Sequence, residues 1–390
     1  MPWEHEGGKQ MYIKKYIKNN KTFYKFQGYL GTDPTTGKRV RVTRQGLLTP
    51  KECELEFYRL RLQFEEGEYS KSDRYTFQDV YDLWMEQYKN TVKESTLNKT
   101  LELFELHILP YYGKMYIDMI KVTHCQEAIN KWFKTLKNYR SVNNYTGLIF
   151  KHGMKLGIVK ENPTILVTVP VKKEEVDQDK EENYFTKDEL ISFLDQVEKS
   201  NSPKWYAFFR LLAFSGCRKG EILGLTWEDL NFKKNTLNIS KTLTYGLENK
   251  LLIQTPKTKK SKRVMPMDER TMAIMKEWKS QQAKDMLKLG YNTMGKNQLV
   301  FTNLKNEFIN PQKIGQKIKP ICKNIDLKVI TPHGFRHTHC SLLFEAGATV
   351  KEVQDRLGHS DIQTTMNIYA HVTEKKKEET AEKFANYINI

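Results

Sequence analysis

Residues 171–183 read VKKEEVDQDKEEN, with nine of thirteen side chains charged and no apolar position recurring at a helical or strand spacing. Such a stretch has no face to bury, so no single hydrophobic core can run through it. The 390-residue chain must therefore fold as separate bodies on either side of a linker, placed at residues 166–183. A prior of roughly 150 residues per domain points to two or three of them.

Before the linker, two patterns follow one another. Residues 1–10 read as a leader, and Met11 to Thr49 then alternates with period two: MYIKKYI, a polar turn at Asn19-Asn20-Lys21, TFYKFQGYL, a turn from Gly31 to Lys38, and RVRVT. Alternation with β-branched and aromatic residues predicts a three-stranded sheet. It carries nine basic residues, Lys14, Lys15, Lys18, Lys21, Lys25, Lys38, Arg39, Arg41 and Arg44, against one acid, Asp33. Thr49-Pro50-Lys51-Glu52 supplies an N-cap, a first-turn proline and a capping-box glutamate. Cys53, Phe57, Leu60 and Phe64 share one face of the helix that follows, the face expected to cover the sheet. This makes a first domain, 1–66. Residues 73–165 predict a bundle of four short helices. One opens at Thr76 with Phe77, Val80, Leu83 or Trp84, and Tyr88 inward; one is capped by Ser95 and ends near Pro110; one is capped by Thr123; one runs from Asn143 to Leu156.

After the linker, residues 184–390 predict a mostly α domain with a small antiparallel sheet, so the fold class is multidomain α+β. Thr186 and Glu189 form a capping box, Trp205 to Ser215 is an apolar helix, TLNIS, KLLIQT and RVMPM read as strands, and a helix resumes near Asp268. The basic run from Pro256 to Arg263 falls between the last two strands and reads as a hairpin. Gly216-Cys217-Arg218-Lys219-Gly220-Glu221 breaks one apolar helix and opens another, which sets Arg218 on the turn where orphan N–H groups favour an anion. His333 and Arg336, three apart, share a helix face. An imidazole and a guanidinium there suit a phosphate. His359 in Leu-Gly-His-Ser follows, and Tyr369 in Asn-Ile-Tyr-Ala-His adds a side-chain oxygen able to attack phosphorus.

In that order and spacing, Arg218, His333, Arg336, His359 and Tyr369 resemble the Arg, His-x-x-Arg, His or Trp, and Tyr of the tyrosine recombinases of the phage-integrase type, those of prophages and integrative conjugative elements. The resemblance implies a site-specific recombinase that integrates and excises a mobile element through a 3'-phosphotyrosine. Tyr369 would be the nucleophile. Lys257 fits the family's catalytic lysine best, with Lys259 and Lys260 as alternatives. The resemblance further implies an arm-type DNA-binding domain at 1–66, a core-binding domain at 73–165, a catalytic domain at 184–390, and a tail helix carrying Ala381, Phe384, Ala385 and Ile388 that docks on a neighbouring protomer.

Net charge of +17 and a pI near 9.3 point to a polyanionic partner. The expected partners are double-stranded DNA at core and arm sites, a homotetramer on that DNA, a host DNA-bending protein and an excision factor, with no membrane, metal or cofactor. Cys53, Cys125, Cys217, Cys322 and Cys340 are odd in number and scattered, which reads as reduced thiols in a cytosol, and the resemblance implies a bacterial, nucleoid-associated cytoplasmic protein. Three alternatives share parts of the pattern. A type IB topoisomerase-like nicking and closing enzyme would not need the basic sheet, a dimer-resolving recombinase usually lacks an arm domain, and a DNA-binding regulator could keep the fold without catalysis.

Overall fold

The computed structural model describes residues 11–18, 21–34, 37–66, 74–171, 183–256, 261–295 and 297–358, together with 363 and 366. The chain divides into two compact units, Met1–Glu86 with Leu106–Pro170, and Gln87–Glu105 with Val171–Ile390.

In the first unit the alternating segments pair as one antiparallel sheet, β1 (Met11–Lys18), β2 (Lys21–Thr32) and β3 (Arg39–Leu47), in the order β1-β2-β3. Helix α1 (Pro50–Glu65) starts where the capping box predicts: Thr49 accepts from the Glu52 amide at 3.1 Å and Glu52 accepts from the Leu48 amide at 2.7 Å. Its face of Cys53, Phe57 and Leu60 is buried against Phe26, Leu30 and Val42. A Cβ on Gly28 would lie 2.2 Å from the Phe57 ring, so the glycine is what lets this aromatic seat on the sheet.

The same unit holds α2 (Phe77–Tyr88, whose last residues fall in the second unit), α4 (Leu109–Tyr112), α5 (Val122–Thr135) and α6 (Tyr139–Lys155). Phe77 stacks on Tyr112 and meets Phe150 edge-on. Trp84 is buried while Leu83 is exposed, which decides between the two. Sequence caps were misplaced twice: α3 (Glu94–Leu103) starts before Ser95, and α5 starts before Thr123, where His124 Nδ1 takes the Lys121 amide at 3.0 Å. Helix α6 begins four residues ahead of Asn143.

Helix α3, expected within the helical bundle, lies in the second unit. That unit continues with α7 (Lys187–Lys199), α8 (Pro203–Ser215), α9 (Lys219–Leu223), β4 (Leu230–Asn231), β5 (Thr236–Ile239), β6 (Thr242–Tyr245), β7 (Leu251–Gln254), β8 (Arg263–Pro266), α10 (Glu269–Lys288), α11 (Gln312–Asn324), α12 (Gly334–Glu345) and α13 (Val350–Leu357). The Thr186/Glu189 box opens α7, and Asp268 caps α10. Phe185, Phe193, Phe209 and Phe335 form the aromatic centre of its core. The hairpin expected at 256–263 is corrected: β7 pairs with β6 and β8 pairs with β5, so the strands before and after the basic run belong to two different sheets. No described helix is long and apolar enough to cross a membrane.

Candidate active site

Helix α8 ends on Gly216, whose φ of +61° is left-handed. A Cβ there would also lie 2.6 Å from the His339 ring and 2.7 Å from Leu357, so both backbone angle and space demand glycine. The chain then turns, and Arg218 precedes α9. Its amide donates to Glu221 Oε2 at 2.9 Å and its Nη1 to Glu221 Oε1 at 3.0 Å. With only five residues, α9 adds little dipole, so the positive field here comes from the guanidinium.

Glu221 is 2% exposed and binds a second arginine, Arg263 of β8, through Oε2 at 3.1 Å. Burial alone would raise its pKa, but Arg263, the Arg218 amide and the Arg218 charge outweigh it and hold the carboxyl below its usual value. Arg263 also donates to Cys217 Sγ at 3.3 Å, Ser261 O at 3.1 Å and Arg356 O at 2.9 Å. Burial pushes the Cys217 thiol up to about 11, so it stays neutral beside these cations.

Arg336, on α12 and 2% exposed, donates through Nη1 to Gly216 O at 2.9 Å and through Nη2 to Leu357 O at 2.7 Å. Both acceptors are carbonyls at helix C-termini, the negative ends of α8 and α13, which favour a guanidinium there. Burial and then Arg218 push its pKa down, yet an arginine remains cationic. The first turn of α12 is fixed from outside. Asn183 accepts from the Thr331 amide at 2.8 Å and donates to Thr331 Oγ1 at 3.0 Å, and a Cβ on Gly334 would lie 2.7 Å from Asn183 O. Phe335 then points into the aromatic core while His333 remains at the surface. Partial burial, His337, Arg336 and Arg218 all push the His333 pKa down, to about 4. The rings of His333 and His337 are 4.8 Å apart.

His339 was not singled out from the sequence, and neither were Glu221, Arg263 or Arg356. Its Nε2 lies 3.0 Å from Arg356 Nε, and arginine only donates, so Nε2 is the acceptor and Nδ1–H donates to Ala213 O at 2.8 Å. The imidazole is therefore neutral, and burial followed by Arg356 lowers its pKa to about 4. Arg356 also donates to Phe214 O and Pro266 O. Because the folded pKa lies below the unfolded 6.5, stability is full above about 6.5 and is lost as pH falls toward 4. Thermal melts across that window should show a decline that His339→Gln reduces. An unchanged pH profile in that variant would contradict the assignment.

Of the six catalytic residues read from sequence, Arg218, His333 and Arg336 are brought together here. Lys257, His359 and Tyr369 lie outside the described residues, as do Lys259, Lys260, residues 172–182 of the linker and the tail helix. The only sequence signal for Glu221 was its place three residues after Arg218, the spacing of a capping glutamate.

The sheet of the first unit sorts its nine cations by register. Lys14 pairs with Lys25, Lys18 with Lys21, and Arg41 with Tyr29, all on the face away from α1. Tyr12, Gln27 and Thr43 form a row on that face, and the Lys14–Lys25 pair separates it from the stacked Tyr16 and Phe23. Lys15 and Arg44 pair with Tyr24 and Phe26 and so belong to the α1 side, whereas Lys38 and Arg39 lie at the far turn. Like charges directly opposite one another are unfavourable unless an anion covers them.

The sequence profile described as Phage integrase family matches residues 183–376, and the one described as Phage integrase, N-terminal SAM-like domain matches residues 76–133. A tyrosine recombinase XerC-like protein of Caldanaerobacter subterraneus subsp. tengcongensis is 29% identical over 94% of this chain and 97% of its own length. The ICEBs1 integrase of Bacillus subtilis is 28% identical over 92% of this chain and 96% of its own. Among solved structures, the Tn1549 transposon integrase in complex with transposon right end DNA superposes with a TM-score of 0.65 at 23% identity, over 80% of this chain and 100% of that one. A lambda integrase dimer bound to a core site gives 0.57 at 17%, over 91% and 93%. With both profiles in chain order around the Arg218, His333 and Arg336 cluster, this chain belongs to the phage integrase family.

Proposed function

We propose that this tyrosine recombinase integrates and excises a mobile genetic element by cleaving and rejoining DNA strands through a 3'-phosphotyrosine, with Arg218, Lys257, His333, Arg336, His359 and Tyr369 as its catalytic residues. The observation that carries the reading is that Arg218 is brought beside His333 and Arg336, which come far later in the chain, with Arg336 buried and held by the carbonyls of Gly216 and Leu357. Relatives that are integrases of conjugative and prophage elements support the same reading.

The phenol oxygen of Tyr369 attacks the scissile phosphorus, forming the Tyr–O–P bond while the P–O5' bond breaks. Arg218 and Arg336 offset the extra charge on the non-bridging oxygens of the five-coordinate transition state. His333 accepts the tyrosine proton. Its low pKa in the DNA-free chain keeps it neutral, and an adjoining phosphate offsets the cations that depress it. Lys257 gives a proton to the departing 5'-oxygen and His359 donates to a phosphate oxygen. The phosphotyrosine keeps the energy of the broken bond, so rejoining needs no nucleotide.

The domain reading follows: 1–66 binds arm DNA, 73–165 and 184–390 enclose the core site around the 166–183 linker, and four protomers assemble on two sites, with a host bending protein and an excision factor. The face bearing Lys14, Lys18, Lys21, Lys25 and Arg41 suits a duplex, with lysines on phosphates and Gln27 and Thr43 of the types that reach base edges. A chain carrying Lys14→Ala, Lys25→Ala and Arg41→Ala should cleave a core-site duplex normally and lose recombination between full attachment sites. Its binding to full sites should depend less steeply on salt, by about one unit of slope per lost phosphate contact. Full recombination by this variant would favour a simpler recombinase that needs no arm site.

A further inference from the structure

The basic run between β7 and β8 carries the proposed proton donor, and the described residues at both of its ends are held by cations. On the β8 side Arg263 donates to Ser261 O at 3.1 Å while its other arm reaches Glu221, the partner of Arg218. On the β7 side the hold comes from α3. Lys93 Nζ donates to Thr255 O at 2.7 Å and to Pro256 O at 2.9 Å, with Thr255 Oγ1 at 3.3 Å.

The rest of α3 grips the same β6–β7 hairpin. Ser95 Oγ donates to Gln254 Oε1 at 2.8 Å, Glu94 Oε1 accepts from the Leu247 amide at 2.9 Å, and Glu102 Oε1 accepts from Asn249 Nδ2 at 3.1 Å. Helix α3 falls within residues 76–133, matched by the SAM-like N-terminal profile, yet it belongs to the compact unit of Arg218 and Arg336. A lysine serving DNA affinity alone would turn its ammonium outward. Lys93 is half-buried and delivers its donors to backbone carbonyls.

From this we infer that Lys93 is a positioning residue for the proton-donating lysine. By fixing Thr255 and Pro256 it anchors the described residues at one end of the run, and Arg263 anchors Ser261 at the other. The inference rests on the reading that a lysine of 257–262 protonates the leaving 5'-oxygen. Proton delivery in the transition state is sensitive to distance, and a misplacement of about 1 Å can cost on the order of 100-fold.

The test compares two core-site duplexes, one ordinary and one with sulfur in place of the bridging 5'-oxygen, which leaves as a thiolate without a proton. Lys93→Met should slow cleavage of the ordinary duplex by about 10- to 100-fold. On the sulfur duplex its deficit should shrink to within about threefold, as general-acid catalysis is no longer required. Lys93→Arg, which keeps donors for the two carbonyls, should recover most of the rate. Both duplexes are cleaved by one preparation, so a misfolded fraction lowers both rates equally and cannot imitate the rescue. An equal deficit on both duplexes, or none on either, overturns the inference while a sulfur rescue of Lys257→Ala leaves the general-acid reading standing. If none of Lys257, Lys259, Lys260 and Lys262 shows rescue when changed to Ala, the general-acid reading itself falls, and the role of Lys93 with it.

Discussion

Tyr369→Phe should bind attachment-site duplex as tightly as the unchanged chain and should form no covalent adduct on a nicked duplex that traps the cleaved state. The substitution removes one oxygen, the atom proposed to attack phosphorus, and leaves every cation of the site in place. Affinity therefore persists, because phosphate neutralisation supplies most of it. Chemistry should stop, because phenylalanine has no side-chain oxygen to bond to phosphorus. Arg218→Ala makes an instructive contrast. It removes charge stabilisation but no bond-forming atom, so adduct should still accumulate, slowed by about 100- to 1000-fold. The measurement is adduct yield against time on a denaturing gel, alongside a binding titration. Adduct from Tyr369→Phe at the normal rate would remove Tyr369 as nucleophile.

Glu221→Leu should produce a large loss of stability in the second unit. Its carboxylate is buried between Arg218 and Arg263, and the Arg263 side chain is only 7% exposed. Removing the anion leaves Arg263 buried and unpaired, near the buried Arg336. Breaking such a pair from one side costs about 3–5 kcal/mol. For a domain of this size that is a fall in melting temperature of roughly 10 °C. Arg263→Met should also destabilise, since it leaves the buried carboxylate with its Arg218 contacts alone. The double variant should cost clearly less than the sum, because it removes both charges at once. Melting temperatures of the two single variants and the double variant test this coupling, and simple additivity would refute it. Arg218 is less affected, as its side chain is 42% exposed and water can solvate it.

Local chemistry was legible in the sequence wherever its partners lie within a few residues. Alternation from Met11 to Leu47 determined three strands and, through period two, which cations share a face. Thr49 with Glu52 and Thr186 with Glu189 determined two helix starts, because a cap is a bond over three residues. Where no cap bond forms, as at Lys93, the predicted start missed. His333 and Arg336 were legible as a pair by helical spacing, and Arg218 by the glycine ahead of it, although the spacing alone did not reveal that Arg336 donates to the ends of two other helices.

Tertiary structure alone decided the rest. The place of α3 beside β6 and β7, the pairing of Glu221 with Arg263, and the Nδ1 partner of His339 depend on residues some 40 to 160 positions away, and β8 joins β5 rather than the preceding strand β7. Contacts at such separations leave no period in the chain. A buried arginine also reads the same in sequence as an exposed one, since what distinguishes them is whether distant carbonyls and carboxylates arrive to satisfy the charge as water is excluded.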